Sequence, residues 1–513
     1  MLKYTGVSIE LFTDVDMLMI AEKGIRGGVS QINKRYTKAN NKYMDNEFDP
    51  TKETSYLLYL DANNLYGHAM SQRLPIGEYE WTSESEIKRN FNSSDHQKNV
   101  TSILNLKNDS DTGYIFEVDL EYPQELHDKH NDYPFCPERR IIPGISKNEK
   151  LLLTFYDKKN YIIHYSMLKL ALEHGLLLKK VHRVLQFKQC AWLKPYIDLN
   201  TKLRAQANND FEKDFYKLLN NAIYGKTMEN LRLRSDIRLV NKWYGGGKNC
   251  GRNLIAQPNL KKCTIFEEDL AAIELHKSCI LMNKPIVVGM CILELSKLLM
   301  YKFLYNYLKP KYGPNILLIY TDTDSFILEI KTNDVYADIR DEPNEFDTWD
   351  YPEGNIYGIK RHNKKVVGKF KDELNGEIVT EVVGMRSKCY AVRTKIDKNK
   401  KDKGVRQHVI KKAKGVKKNV LKNHISFEDY YNCIKNNSIE MRKQNSIRSI
   451  KHEIYTISMQ KIALNPFDDK RYMIKPDGID TLAWGHYKLD SEKMTSEYQY
   501  VSDIAESMKG ILK

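Results

Sequence analysis

Two apolar runs, Ile316-Leu317-Leu318-Ile319-Tyr320 and Phe326-Ile327-Leu328, flank the polar tetrapeptide Asp322-Thr323-Asp324-Ser325. Apolar run, short polar break and apolar run predict a strand, a tight turn and a returning strand, with two carboxylates at the turn. Carboxylates held that close repel one another, and a divalent cation is the usual relief. Asp and Ser are also ordinary turn residues. The weight of the acidic turn therefore depends on what the rest of the chain brings to it.

Working outward, Tyr56-Leu57-Leu58-Tyr59-Leu60 reads as a second strand that ends at Asp61 and continues into Ala62-Asn63-Asn64-Leu65-Tyr66-Gly67. A carboxylate at one strand end and an acidic turn on another can share a pair of divalent ions about 4 Å apart. Such a pair activates a hydroxyl and stabilises the leaving oxygens of an in-line phosphoryl displacement. A third element, Lys217-Leu218-Leu219-Asn220-Asn221-Ala222-Ile223-Tyr224-Gly225, sits in a helical stretch that begins near Asp210. Lys217, Asn221 and Tyr224 are spaced to share one helix face. Gly225 is expected to allow close approach or to end the helix.

In this order the three elements resemble the motifs of family B DNA polymerases: motif A (DANNLYG, from Asp61), motif B (KLLNNAIYG, from Lys217) and motif C (YTDTDS, from Tyr320). Lys388-Cys389-Tyr390 fits the family's K-x-Y motif, and Arg26-Gly27-Gly28 resembles the end of its Y-x-G-G motif, with Ile25 in place of the Tyr. The phrasing is most similar to the protein-primed branch, found in Maverick/Polinton-type transposons and linear plasmids. Three positions depart from the family pattern: Asn64 and Gly67 in motif A, and Ala222 in motif B. Gly67 is expected to loosen the backbone after Tyr66.

The resemblance implies an α+β, right-hand palm–fingers–thumb fold with an antiparallel palm sheet. It implies DNA-directed DNA synthesis with two Mg²⁺, or Mn²⁺ in their place. Asp61 and Asp324 become the main metal ligands, with the Ala62 carbonyl adding one oxygen and Asp322 a neighbouring catalytic carboxylate. Tyr66, Arg204, Lys217, Asn221 and Tyr224 are the expected dNTP-binding residues. Gly27, Gly28, Lys388 and Tyr390 are the expected DNA contacts. The implied partners are a DNA template-primer, dNTPs and a terminal priming protein. A catalytically inactive DNA-binding remnant of a mobile element, and a reverse transcriptase or RNA polymerase, are the alternatives weighed.

Composition agrees with a polyanionic partner. The chain has 513 residues, a formal charge of +14 and 33 Tyr, some of which can stack on bases. Its eight Cys include no C-x-x-C pair, which argues against a structural zinc site and for reduced thiols. No run of about 18 apolar residues is present and the start lacks a signal-peptide h-region, so the expectation is a soluble intracellular protein without a membrane. The nucleus is the expected compartment for a eukaryotic mobile element, with mitochondrion or cytoplasm as alternatives. Gly225-Lys226-Thr227 imitates the end of a Walker A loop, but Asn220 occupies the first glycine's place.

The expected layout is a lead-in at 1–55, a first palm part at 56–195 with room for a priming-protein insertion, and fingers at 196–231. An insertion at 232–280, a second palm part at 281–393, and a basic junction with the thumb at 394–513 follow. Asn90–Thr112 reads as a surface loop, Gly113–Leu120 as a palm strand, and Leu151–Phe155 as a further strand. Ser166–Gly175 reads as a helix and Pro285–Tyr307 as a long amphipathic one. Gly245–Lys248 reads as a loop, residues 232–280 as poorly patterned, and the run Lys395–Lys422, with Lys400 and Lys401, as a solvated basic loop. The family usually carries a 3′–5′ exonuclease domain ahead of the palm. With 55 residues before Tyr56, the chain is expected to correspond to the polymerase half alone and to lack that activity.

Overall fold

The acidic tetrapeptide closes an antiparallel hairpin between strands Ile316–Asp322 and Ser325–Ile330. A computed structural model describes residues 1–489 apart from 147, 246, 248, 396–407, 451–452 and 475–476. Within it the hairpin is the centre of a ten-stranded sheet. Strand Tyr56–Ala62 pairs antiparallel with Ser325–Ile330, setting Asp61 opposite Ser325. On its other edge it meets Phe370–Asp372, which sets Lys371 opposite Asp61, and then Val379. Val379–Arg386, Cys389–Thr394 and Val409–Ala413 extend the sheet on that side, and Ser30–Ile32 closes the other side against Ile316–Asp322. Most residues of Tyr56–Leu60 and Phe326–Ile330 are buried, as expected of central strands covered on both faces.

A second, four-stranded antiparallel sheet takes Leu74–Trp81, Leu177–Cys190, Thr112–Glu121 and Lys158–His164 in that order. The expected strand at Gly113–Leu120 therefore exists but belongs to this sheet, because its partners are Leu177–Cys190 and Lys158–His164. Helix Ile286–Lys302 touches helices 15–24, 65–70, 165–173 and 210–227 and both sheet-edge strands 74–81 and 158–164. It is buried on nearly every side, including Glu294, Ser296 and Lys297, so it is a central helix and not an amphipathic surface one. Glu294 and Lys297 lie 3.3 Å apart, and the Lys297 ammonium donates to the Arg26 carbonyl at 2.8 Å, which compensates their burial.

Other expectations need correction. Asn90–Thr112 contains the helix His96–Leu104, whose Asp95 side chain accepts the Lys98 N–H and whose Ile103 is fully buried. The strand expected at Leu151–Phe155 shrinks to Lys150–Leu152, and the Phe155 N–H bonds to the Trp484 carbonyl instead. Strands Ser235–Val240, Leu260–Glu267 and Leu270–His276 form a three-stranded sheet with its own core of Val240, Leu254, Ala271, Ile273 and Leu275. In the basic run, Val409–Ala413 joins the large sheet and Lys418–His424 is a helix. Lys400, Lys401, Gly246 and Lys248 lie outside the described residues.

The helix expected at Ser166–Gly175 spans Tyr165–Glu173, with Gly175 left-handed at φ 96° just beyond its end. The two helices expected before residue 230 are Lys194–Gln206 and Asp210–Thr227, the second capped by Asn209. Gly225 neither ends that helix nor meets a neighbour. Toward the C-terminus, helix Phe427–Lys435 precedes a long antiparallel pair, Glu440–Ile450 with Glu453–Leu464. Residues after 464 return to the body. There the Arg471 guanidinium donates to the Asn131 carbonyl at 2.9 Å, and Trp484 packs with Ile142, Ile145 and Leu152.

Candidate active site

Three strand ends converge at the acidic turn. The Ala62 N–H donates to the Asp324 carbonyl at 2.7 Å, which ties the end of the Asp61 strand to the turn. Thr323 is left-handed at φ 64°, and its N–H donates to the Val29 carbonyl at 2.7 Å. Gly28 lies directly beneath: a Cβ there would come within 2.4 Å of the Thr323 side chain, whereas one on Gly27 would meet nothing. The Arg26-Gly27-Gly28 segment thus braces the acidic turn through a close approach that only glycine permits. Arg26 is itself buried, with its guanidinium 3.9 Å from the centre of the Tyr161 ring.

The acidic turn gathers carboxylates that burial and one another's charge disfavour. Burial, then the Asp324 charge, then that of Glu373, push the Asp61 carboxyl up to about 7. Asp324 is also raised, chiefly by burial and further by Asp322. Lys388, left-handed at φ 60°, brings its ammonium to 3.4 Å from Asp322 Oδ1, which is buried and makes no hydrogen bond. Among the described residues no group of three or more His, Cys, Asp or Glu is arranged to hold an ion. The donors at hand are two repelling carboxylates on neighbouring strand ends, and these hard oxygens fit a divalent ion.

Beneath the turn lies a tyrosine layer. The Tyr390 hydroxyl is 2.9 Å from that of Tyr59, and the Tyr390 and Tyr320 ring centres are 4.6 Å apart. Tyr390 is 3 % exposed, so it is placed as a prop under the acidic strands, while Lys388 of the same motif is solvent-facing.

The helix pair supplies cations. Arg204 and Lys217 line one small cavity together with Asn63, Asn64, Asn220 and Lys365. Asn200 Nδ2 donates to Asn220 Oδ1 at 3.0 Å inside the pair and locks the two helices in register. Lys217 shares that cavity with Asn63 and Asn64, the residues that follow the Asp61 strand. Tyr66 and Tyr224 stack face to face, with centres 4.5 Å apart and planes within 9°. Asn221 is exposed and is not among the cavity residues.

The motif A departures have a structural reason. Asn64 caps the helix Leu65–Met70 from a left-handed backbone at φ 45°, and its Oδ1 accepts the Gly67 N–H at 3.2 Å. A Cβ on Gly67 would sit 2.1 Å from that Asn64 side chain. Gly67 therefore lies inside a capped helical turn, where its lack of a Cβ makes room for the Asn64 side chain. Lys365, Lys371, Glu373 and Asn220 were not singled out from sequence. Lys365 lies in a stretch with no periodicity, Lys371 and Glu373 in and after a three-residue strand too short to show one, and Asn220 is one turn from Lys217 on the helix wall that meets Asn200.

Residues 43–310, just over half of the chain, match the family described as DNA polymerase type B, organellar and viral. Comparison with curated proteins gives no match. Among solved structures the chain is similar to phi29 DNA polymerase complexed with primer-template DNA, at 15 % identity and a TM-score of 0.52 over 90 % of this chain. It is likewise similar to the ternary complex of that polymerase with primer-template DNA and incoming nucleotide, at 15 % identity, a TM-score of 0.51 and 90 % coverage. The chain spans 64 % and 65 % of those two structures' chains. At this identity the likeness concerns the fold, a palm–fingers–thumb architecture with an antiparallel palm sheet.

Proposed function

The chain belongs to the type B DNA polymerases, organellar and viral, and on that premise we propose that it extends a DNA 3′ end, or a first nucleotide linked to a priming protein, with dNTPs on a DNA template. The observation that carries this reading is the meeting of Asp61 and Asp324 on adjacent strand ends, with the Lys217 charge close by. The ten-stranded sheet would serve as palm, helices 194–227 as fingers and residues 418–464 as thumb. The three-stranded unit at 235–276 would be the insertion between motifs B and C. Replication of a mobile element, virus or linear plasmid is the biological setting we infer from the motif phrasing.

Asp61, Asp324 and the Ala62 carbonyl would hold two Mg²⁺. Such a pair, when bound, supplies Lewis acidity to the attacking hydroxyl and charge compensation at the phosphates. Asp322, positioned by Lys388, would orient the primer end. Arg204 and Lys217 would draw the triphosphate against the helix pair. Lys388, with Tyr390 supporting the strands below it, would contact primer phosphates, which position without reading sequence. Gly27 and Gly28 would keep the bracing segment close to the DNA path. Tyr224 and Asn221 would face the nascent pair. Primer extension on DNA and RNA templates, with dNTPs and NTPs in turn, tests the reading. Extension with dNTPs on DNA is expected. Duplex binding without extension in Mg²⁺ or Mn²⁺ would leave a DNA-binding remnant, and a preference for RNA template or NTPs would point to a different polymerase class.

Two variants probe the surroundings. Gly28→Ala forces a methyl group into Thr323, and overpacking of this kind costs about 1–3 kcal/mol. It should lower both denaturant midpoint and extension rate, while Gly27→Ala, whose added methyl group meets nothing, leaves the midpoint unchanged. Equal behaviour of the two would show that the brace is not needed. Tyr66→Val removes the ring stacked on Tyr224 and opens space at the sugar position. It should reduce dNTP-over-rNTP selectivity by roughly tenfold, about 1.4 kcal/mol. Competition assays giving the same ratio for both proteins would place the sugar gate elsewhere.

A further inference from the structure

We propose that Lys365 is a third triphosphate-binding cation, held at the site by Asp347. This rests on the nucleotide-binding reading of Arg204 and Lys217. Lys365 comes from the irregular segment between the acidic hairpin and the K-x-Y strands, which none of the polymerase motifs covers. It nonetheless lines the same cavity as Arg204 and Lys217.

Its placement is built and not incidental. Lys365 is left-handed at φ 53°, and Asn363 two residues before it at φ 57°, conformations that cost free energy unless neighbours enforce them. Asn363 Nδ2 donates to the Pro343 and Phe346 carbonyls, each at 2.8 Å. Asp347, 5 % exposed, does the rest: its Oδ2 accepts the Lys365 N–H at 2.8 Å and Asn63 Nδ2 at 2.6 Å. Its Oδ1 accepts the Trp349 N–H at 3.0 Å. Two backbone bonds complete the lacing, from Asn63 N–H to the Lys369 carbonyl at 2.9 Å and from Gly368 N–H to the Asn63 carbonyl at 2.8 Å. One buried carboxylate thus fixes both the residue after Ala62 and the cationic segment facing it.

The charges around the cavity are unbalanced. Among the described residues, neither Arg204, Lys217 nor Lys365 has a carboxylate within ion-pair distance. Nearby cations do: Lys213 has Asp210 at 3.1 Å and Lys371 has Glu373 at 2.8 Å. Burial and then the Arg204 charge push the Lys365 ammonium below its usual range. Arg204 Nε is buried without a hydrogen-bond partner. Three cations around one concavity, of which Lys365 is fixed through its backbone by a carboxylate that leaves its charge free, suit a polyanion. DNA and the triphosphate are both polyanions, and the small size of the cavity and its place against Asn63 and Asn64, directly after the Asp61 strand, favour the triphosphate.

The test compares Lys365→Ala, Lys365→Arg and Asp347→Ala with Lys217→Ala and Arg204→Ala. Two quantities are measured: binding of inorganic tripolyphosphate to the DNA-free protein by calorimetry, and the dNTP KM and kcat of primer extension. Lys365→Ala should weaken tripolyphosphate binding and raise dNTP KM by about tenfold each, with duplex Kd unchanged. Lys365→Arg should stay within about threefold of wild type. Asp347→Ala, if folded by its melting profile, should shift KM in the same direction as Lys365→Ala. Wild-type behaviour of Lys365→Ala beside losses in Lys217→Ala and Arg204→Ala would overturn the assignment of Lys365. Wild-type behaviour of all three alanine variants would overturn the nucleotide site itself.

Discussion

Asp61→Ala and Asp324→Ala are each expected to reduce primer extension by on the order of 10³-fold or more, over about 4 kcal/mol of barrier, while duplex affinity stays within roughly twofold. Their carboxylates end adjacent strands, opposite Ser325 and at the turn tip, where burial raises both first, then the Asp324 charge raises Asp61 and the Asp322 charge raises Asp324. That arrangement opposes folding in the absence of a cation, so neither side chain is there for stability. Melting without divalent ions should accordingly be unchanged or higher in both variants, which separates loss of chemistry from loss of structure. Primer extension, duplex binding and melting on the same preparations check the expectation. Extension above a tenth of the wild-type rate in both variants would sink the two-carboxylate assignment.

The parts of this site that could be read from sequence are those whose signal is local. The acidic hairpin, the strand ending at Asp61 and the helix carrying Lys217 each announce themselves by period and punctuation within about ten residues. Pairing is not local. Thr112–Glu121 alternates like the palm strands, and nothing in its own residues tells that Leu177–Cys190 and not Tyr56–Ala62 is its neighbour. Helix Ile286–Lys302 carries Glu294 and Lys297 among its apolar residues, and only the structure shows the two paired in the core. Asn64 and Gly67 looked like two independent departures from a motif. They are one device, a cap and the glycine that makes room for it. Lys365 was invisible because its position depends on Asp347, Asn63 and a left-handed backbone, none of which has a period.

Lys217→Ala should cost extension on the order of 10²-fold in kcat/KM for dNTP, with both a higher KM and a lower kcat. Lys217 stands on the helix Asp210–Thr227, which Asn200 and Asn220 lock against its partner, so the ammonium is delivered from a rigid element. It has no carboxylate partner within ion-pair distance among the described residues, so its charge is not already spent on a neighbour. It lines the cavity with Arg204, Asn63 and Asn64, where on the proposed reading it would meet the incoming phosphates. A cation there is worth more in the transition state, where charge moves toward the leaving oxygens, than in the ground state. For that reason kcat falls as well as affinity. Lys217→Arg keeps the charge but spreads it over a planar fork, so it should recover KM more fully than kcat. Single-turnover extension across a dNTP titration separates the two quantities. An unchanged dNTP dependence in Lys217→Ala would mean that this helix face points away from the nucleotide, and the cavity shared with Arg204 would then need another ligand.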